Sequence, residues 1–124
     1  MIKLILADMD GTLLPFGSRV VSERTHSAIL SALDAGIAFG PASGRDYADL
    51  ADAFDGDARC FSTGIMANGK KVFSSGELVF KKTLSTEALV KLDSAVRPYA
   101  GTSLWLVADV DETCLLYTSD AADE

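Results

Sequence analysis

The segment LILADMDGT at residues 4–12 limits the possible folds of this chain more than any other part of its sequence. A nearly continuous apolar run over residues 2–7 leads directly into two carboxylates that are one residue apart, Asp8 and Asp10. A short apolar run of this kind is typical of a strand buried on both faces of a parallel sheet. Because charge follows at once, we expect the strand to deliver both carboxylates to a site at its carboxyl end.

Strand-like and helix-like segments alternate beyond this first strand. Ser22 is a suitable N-cap and Gly36 suits the position after a helix end, so a helix is predicted between them. The full prediction is strands at 2–7, 37–42 and 60–63 and helices at 23–35 and 45–54. Gly40-Pro41 should end or distort the second strand, since proline has no N–H for a ladder. The alternation predicts an α/β fold with a parallel sheet and right-handed crossovers.

The pattern changes after about residue 70. Two β-prone stretches, 72–73 and 78–80, flank Ser75-Gly76 and predict a hairpin. Residues 86–97 then have helical periodicity, and the proline at position 98 ends that helix. Residues 104–110 follow as a further strand candidate. We expect a second structural unit to begin near residues 82–85.

Composition and charge exclude several classes of protein. The chain has 124 residues and a net charge of −7, which argues against binding to nucleic acid or to anionic membranes. It has neither a signal-like amino terminus nor an apolar run of the ~20 residues that a membrane span needs. Cys60 and Cys114 fit no metal-ligand spacing, so we expect free thiols in a cytoplasmic protein, and we expect His26 to face solvent or cap a helix.

The spacing of Asp8 and Asp10 suits acid–base chemistry at a metal. Residues two apart on an extended chain point the same way, roughly 6–7 Å apart. One carboxylate could then bind a metal while the other, its pKa raised by its neighbour, stays a proton donor. Gly11 permits a tight turn, and Thr12 offers a hydroxyl and an N–H to an anion. A plain turn and a calcium loop are the alternatives, although Arg19 stands where a calcium loop needs glutamate.

Three motifs resemble those of the haloacid dehalogenase-like (HAD) phosphatases. Residues 8–14, DMDGTLL, resemble the first motif of that superfamily, and residues 42–45, ASGR, resemble the second. Residues 66–70, MANGK, resemble the "NG" segment of its Cof-type (HAD-IIB) subgroup, in which a large α/β cap is inserted after this hairpin. The resemblance implies a partial Rossmann-like core at 1–82 and the beginning of the cap at 83–113.

The same resemblance implies roles for individual residues. Asp8 would be the nucleophile that forms an aspartyl-phosphate, and Asp10 would be the general acid and then the base. Mg²⁺ would be held by the Asp8 carboxylate and the Asp10 backbone carbonyl. Thr12 and Ser43 would bind phosphate oxygens. The remaining substrate-binding positions would be Gly11, Gly44, Arg45 and Asn68, of which Arg45 could equally be a surface residue and Asn68 could simply shape its loop.

Two expected parts of the family's site have no counterpart in this sequence. The third motif is a lysine and the fourth a Gly-Asp-x-x-x-Asp segment, but the last lysine is Lys91 and no such acidic segment follows. Residues 114–124 look like the translation of a sequencing adapter, with a genuine acidic tail as the alternative. We therefore expect a truncated, inactive fragment of an active parent protein.

The predicted activity of that parent is Mg²⁺-dependent hydrolysis of phosphomonoesters. The substrates implied by the resemblance are small phosphorylated metabolites such as sugar phosphates. One alternative is a phosphomutase, in which the phosphoryl group passes from the aspartate to a second hydroxyl. The other is a protein that binds phosphate or metal without catalysis. Activity on a general phosphomonoester separates the last from the other two.

Overall fold

A computed structural model describes residues 1–105 of the chain. Helices and strands alternate as far as β3, and a hairpin and one further helix follow. In chain order the elements are β1 (Leu4–Ala7), α1 (Glu23–Asp34), β2 (Ala38–Pro41), α2 (Tyr47–Ala53), β3 (Gly64–Met66), β4 (Lys71–Ser74), β5 (Glu77–Lys81) and α3 (Thr86–Val96). The predicted α/β class is confirmed.

The strands form a parallel pair joined to an antiparallel meander. β1 pairs with β2 in parallel, with Leu4 opposite Ala38 and Ala7 opposite Pro41. A parallel bridge between Ala42 and Ile65 connects the end of β2 to β3. β3, β4 and β5 then pair in antiparallel order. This arrangement brings the carboxyl ends of β1 and β2 to the same edge.

The third strand lies later in the chain than the sequence indicated. Residues 58–60 form a 3₁₀ turn instead, because the Asp57 carboxylate accepts the Arg59 N–H at 3.2 Å and caps it. The strand begins at Gly64, immediately beside Pro41 of β2, where a Cβ would lie 2.7 Å from the proline carbonyl oxygen. The prediction of a strand at residues 60–63 is therefore wrong, since local capping overrides β propensity.

Gly40 and Pro41 are accommodated by the way β2 pairs. Ala38 and Ala42 donate their N–H groups towards β1, at 2.9 and 2.8 Å. Successive residues of a strand direct their nitrogens to opposite sides, so Pro41, next to Ala42, directs its nitrogen away from β1. Gly40 is required by close approach, because a Cβ there would lie 2.1 Å from the Thr63 carbonyl oxygen. The strand therefore pairs through Pro41 and ends there.

Capping residues set the bounds of the two core helices. The Ser22 hydroxyl accepts the Thr25 N–H at the start of α1, and Gly36 follows its end with φ of +79°, as the sequence predicted. α2 begins two residues later than predicted. Asp46 and Asp49 form a capping box that fixes the start at Tyr47, which leaves Arg45 outside the helix.

The apolar core is formed by side chains from loops, helices and strands. Its buried hydrophobic members are Met9, Leu14, Val21, Ile29, Phe39, Leu50, Ala53, Phe54, Cys60, Phe61 and Met66. The side chains of β1 are outside this set: Leu4, Ile5 and Leu6 remain 37–49% exposed. The expectation that β1 is buried on both faces is wrong for this chain. Within residues 1–105, β2 is the one strand that pairs with β1.

The hairpin is confirmed at the predicted position. Ser75 and Gly76 connect β4 to β5, and both have positive φ, +50° and +85°. Two left-handed residues are the signature of the type I′ turns that match strand twist. The register shifts where Val72 pairs with Phe80 and Phe73 pairs with Leu78, so Val79 is an extra residue on β5.

The chain divides into two compact units between Lys82 and Thr83. The second unit contains α3, which the Ser85 hydroxyl caps by accepting the Ala88 N–H at 3.1 Å. The predicted helix at 86–97 is confirmed to within one residue. Most of the predicted strand at 104–110, and all of the proposed tail at 114–124, lies outside the described residues. Residues 1–105 hold no helix with the length and apolar character that crossing a membrane requires.

Candidate active site at the carboxyl ends of β1 and β2

The first two motifs lie side by side at one edge of the sheet. Asp8 directly follows β1, and Ser43 comes two residues after β2. The Ala42 N–H donates to the Ala7 carbonyl oxygen at 2.8 Å, and this hydrogen bond joins the two segments at the point where both strands end. The position matches the rule that ligands bind beyond the carboxyl ends of parallel strands.

Backbone hydrogen bonds and two buried side chains fix the loop of residues 8–14. Leu14 donates its N–H to the Met9 carbonyl and accepts the Gly11 N–H, both at 2.8 Å. Met9 is fully buried and Leu14 nearly so, whereas Asp8 and Asp10 are exposed. Gly11 has φ of +81°, and a Cβ there would lie 2.9 Å from the ring of Phe16. The loop therefore holds its carboxylates outward by anchoring the residues between and behind them.

Asp8 has an accessible carboxylate with one hydroxyl donor beside it. Thr12 Oγ1 donates to Asp8 Oδ2 at 3.3 Å, across one turn of the loop. The Asp8 carboxylate is therefore free to meet a ligand, and the Thr12 hydroxyl lies next to it. The sequence predicted that Thr12 offers its hydroxyl to a phosphate, and the chemical roles of both residues remain predictions.

Asp10 is engaged by a two-point contact with Arg45. Arg45 Nη2 donates to Asp10 Oδ1 at 2.7 Å, and Arg45 Nε donates to Asp10 Oδ2 at 3.2 Å. These hydrogen bonds, and the charge of the guanidinium, lower the pKa of Asp10 and raise that of Arg45. The pKa of Asp10 thus shifts in the direction opposite to the rise that crowding by a second carboxylate would give, because the Arg45 guanidinium contacts it.

The second motif is held in place by the "NG" segment. The Asn68 N–H donates to the Ser43 carbonyl at 3.2 Å, and the Ala67 N–H donates to that of Arg45 at 2.9 Å. Ser43 Oγ accepts the Arg45 N–H at 3.1 Å, so its own hydrogen is free for another acceptor. A Cβ at Gly44 would lie 2.8 Å from the Asn68 side-chain oxygen, so a larger residue here would require the Asn68 side chain to move.

The "NG" segment itself is conformationally strained. Three consecutive residues, Ala67, Asn68 and Gly69, have positive φ of 50°, 56° and 83°. Glycine adopts this region without penalty and asparagine tolerates it, but for alanine it costs on the order of 1 kcal/mol. The segment thus keeps an unfavourable backbone at the point where it supports Ser43 and Arg45, which is typical of functional loops.

The structure brings most of the predicted site residues close together, but the contacts between them are not the ones that the sequence predicted. Arg45 links the first motif to the second, and Asn68 contacts the backbone and glycine of the second. Sequence reasoning missed the anchoring roles of Met9 and Leu14. The in–out alternation of an extended chain could have indicated Met9, but it would place Leu14 on the same side as Asp8 and Asp10. It also missed a cleft of about 380 Å³ beside Arg45, lined by Ser18, Arg19, Arg45, Asp49 and Asp52. Its lining comes from separate segments and leaves no local sequence signal.

Comparison with known proteins places this geometry in a family. The family model for haloacid dehalogenase-like hydrolases matches residues 5–120. No curated protein sequence matches the chain significantly. Among solved structures, the HAD phosphatase BT1666 from Bacteroides thetaiotaomicron is 30% identical, with a TM-score of 0.68 over 79% of this chain and 36% of its own.

Two further solved structures are similar to this chain in fold. A haloacid dehalogenase-like hydrolase from B. subtilis is 27% identical, with a TM-score of 0.66 over 78% of this chain and 34% of its own. The HAD subclass IIB sugar phosphatase BT4131 shares the fold at 24% identity, with a TM-score of 0.59 over 74% and 36% of the two chains. The present chain thus spans about a third of the length of these structures. It belongs to the haloacid dehalogenase-like hydrolases.

Proposed function

We propose that the protein hydrolyses phosphomonoesters with Mg²⁺ and that Asp8 is the nucleophile. The observation that carries the proposal is the exposed Asp8 carboxylate at the end of β1, beside the Thr12 hydroxyl at 3.3 Å. Attack by this carboxylate on phosphorus forms an aspartyl-phosphate and releases the alcohol, and attack by water then releases phosphate. Small phosphorylated metabolites in the cytoplasm, sugar phosphates above all, are the proposed substrates.

The oxygen donors at the site suit the proposed metal. Mg²⁺ binds through one or two carboxylates, keeps several waters and takes substrate phosphate as a further ligand. The Asp8 carboxylate is accessible, and the hydrogen bonds described for the loop use the Met9 and Leu14 carbonyls but not that of Asp10. We propose that the Asp8 carboxylate and the Asp10 carbonyl hold the ion. When bound, Mg²⁺ would offset negative charge on the phosphate oxygens.

Arg45 and the hydroxyl groups would bind the phosphate. A guanidinium fork fits phosphate oxygens as well as it fits a carboxylate, so a phosphate ester can compete with Asp10 for Arg45. The Ser43 hydroxyl, whose hydrogen is not used by Arg45, and the Thr12 hydroxyl would donate to the remaining oxygens. Release of Asp10 from Arg45 would remove the contact that lowers its pKa. The Asp10 carboxyl could then give a proton to the leaving alcohol and later take one from water.

Hydrolysis also needs charge balance that this chain does not supply at the described site. Phosphate, Asp8 and Asp10 place several negative charges together, and Arg45 is the cation that contacts them among residues 1–105. The family resemblance calls for a lysine and a later metal-binding aspartate, which the sequence lacks in recognisable form. We therefore propose that activity belongs to a longer polypeptide of the relatives' length, and that the 124-residue chain alone is inactive.

The test is a phosphatase assay on such a longer polypeptide that begins with residues 1–113. Phosphate release from p-nitrophenyl phosphate and from a panel of sugar phosphates is measured with Mg²⁺ and after its removal with a chelator. We expect Mg²⁺-dependent release, and production of an isomeric sugar phosphate without free phosphate would indicate a mutase instead. Absence of any turnover while phosphate still binds would show a non-catalytic protein.

A further inference from the structure

A second group of ligand-type side chains lies away from the carboxyl-end loop. His26 on the first turn of α1 meets Asp57 and Cys60, which bound the 3₁₀ turn between α2 and β3. The ring nitrogen, carboxylate oxygen and sulfur all lie within 4.8 Å of one another. In the part of the chain that the structure describes, this is the one group of three such residues close enough to share a cation. We call it the His–Asp–Cys cluster.

The fold itself holds the three donors of the His–Asp–Cys cluster together. His26 and Asp57 are 31 residues apart in sequence, yet His26 Nε2 lies 2.8 Å from Asp57 Oδ2. Cys60 is fully buried in the core, and Asp57 is fixed by capping the turn that ends at Cys60. The side chains of His26 and Asp57 are 34% and 17% exposed, so both are partly shielded from water. His26 comes from a different segment of the chain than Asp57 and Cys60, so the local sequence does not account for the proximity of the three side chains.

A cavity borders two of the three residues of the cluster, whereas the buried Cys60 is not part of its wall. It has a volume of about 180 Å³, enough for several waters, and its wall includes both His26 and Asp57. Two further carboxylates, Glu23 and Asp55, line the same cavity. The cavity therefore offers a path for a cation, room for a water ligand and negative charge along the way.

We propose that the His–Asp–Cys cluster is a binding site for one divalent cation of the Zn²⁺ type, with its fourth position open to the cavity. Zn²⁺ takes nitrogen, sulfur and carboxylate oxygen ligands in tetrahedral sites, and three protein ligands plus water form an open site. Mg²⁺ and Ca²⁺ prefer oxygen ligands alone, which the imidazole and the thiol do not provide. The proposed site thus shares no residue with the one at Asp8 and differs from it in chemistry.

Binding must overcome three existing interactions. The cation replaces the hydrogen bond between His26 and Asp57, whose two atoms must move apart from 2.8 Å to roughly 3.3 Å for bonds of ~2.0 Å. Burial raises the pKa of the Cys60 thiol to about 11, so the cation must displace that proton. Arg59 also holds Asp57 at 2.7 Å, but its side chain is 66% exposed and can turn into water. We therefore expect a dissociation constant on the order of 1–10 μM, weaker than structural zinc sites.

The experiment measures metal binding by the 124-residue chain in a Cys114→Ser background, so that Cys60 is its only thiol. Zn²⁺ affinity and stoichiometry are determined by competition with a chromophoric chelator, and Co²⁺ is added separately to detect thiolate-to-metal absorption. We expect one ion per chain and a Co²⁺ thiolate band. Cys60→Ala should remove the band, and His26→Gln should weaken Zn²⁺ binding by at least about tenfold.

Matched variants separate this site from other acidic groups. Asp55→Asn changes a carboxylate of the same cavity, and Asp8→Asn changes the proposed phosphatase site. Both should keep the Zn²⁺ affinity within about threefold. His26 is partly exposed, so His26→Gln remains a usable test if Cys60→Ala fails to fold. Zn²⁺ affinity weaker than about 1 mM, or binding that persists unchanged in His26→Gln, would overturn the proposal and leave the cluster as a tether between α1 and the 3₁₀ turn.

Discussion

The loop of residues 8–14 and strand β1 are consecutive in the chain but differ in how they are stabilised. The loop carries the charges, yet its Met9 is fully buried and Leu14 is 1% exposed. β1 is the apolar segment, yet Leu4, Ile5 and Leu6 remain 37–49% exposed. The difference shows that the position of the site depends on core contacts of the loop itself. The strand supplies direction and backbone pairing to β2, while much of its apolar surface is open.

The largest expected effect comes from the chemistry of the loop. Asp8→Asn in the longer polypeptide should reduce turnover by a factor of about 10³ or more, because the proposed nucleophile and the proposed metal ligand are lost together. Since Asp8 is exposed, its removal should leave the thermal unfolding midpoint nearly unchanged. Steady-state kinetics and calorimetry check both statements. Retention of more than about a tenth of the activity would exclude the nucleophile role.

Asp10→Asn should separate the side chain of Asp10 from its backbone. Turnover should fall by roughly 10²–10⁴-fold, since proton transfer to the leaving group is lost. The backbone carbonyl proposed to contact Mg²⁺ is still present, so Mg²⁺ affinity should change little in titration calorimetry. A loss of Mg²⁺ binding as large as that of Asp8→Asn would contradict the assignment of the two roles.

Met9→Ala should show that the loop is anchored by burial. Removing a fully buried methionine leaves a cavity and should lower the free energy of unfolding of the chain by about 2–5 kcal/mol. Truncation of Leu6 to alanine, at 41% exposure in β1, is the matched control and should cost clearly less. Chemical denaturation of both variants gives the comparison. Equal losses would mean that strand and loop contribute alike.

Arg45→Met should raise the pKa of Asp10 towards its ordinary value of 3.8. The depressed pKa means that the Asp10–Arg45 contact stabilises the fold above about pH 4 and is lost as pH falls towards the folded-state pKa. The variant should therefore lose less stability on acidification. Carboxyl NMR titration measures the shift, and Arg59→Met, which removes one of the two partners of Asp57, should leave Asp10 unaffected. An unchanged Asp10 titration in Arg45→Met would contradict the contact.

The smallest effect on stability is expected at the open face of β1. Ile5→Lys should change the free energy of unfolding by less than about 1 kcal/mol, since the side chain is already partly exposed. The apolar edge strand also predicts association between molecules, which Ile5→Lys should reduce because charge on such a strand opposes pairing. Sedimentation velocity compares it with Leu84→Lys, an exposed leucine outside any strand. Association that both substitutions reduce equally would point away from β1.

The sequence was informative where local physics decides the structure. Ser22, Gly36 and Ser75-Gly76 marked helix and hairpin ends correctly, because capping and positive φ are properties of a few neighbouring residues. The first motif also predicted a loop at the end of a strand, and the structure contains that loop directly after β1. These features require no knowledge of distant segments.

Long-range contacts could not be predicted in the same way. The capture of Asp10 by Arg45 joins residues 35 apart, and it reversed the expected direction of the Asp10 pKa shift. The third strand lies later in the chain than predicted because the Asp57 cap stabilises a 3₁₀ turn where the strand was expected. The exposure of β1 depends on which strands pair with it, which its own apolar pattern does not encode.

The central claim is that the loop after β1 presents Asp8 for phosphoryl transfer. The most direct measurement traps the covalent intermediate in the longer polypeptide. The protein is mixed with p-nitrophenyl phosphate and Mg²⁺, quenched and treated with borohydride, which reduces an aspartyl-phosphate to homoserine; peptide mass spectrometry then locates the change. We expect homoserine at position 8, dependent on substrate and absent at position 10. Active protein with no reduction at position 8, or with reduction at another aspartate, would contradict the account.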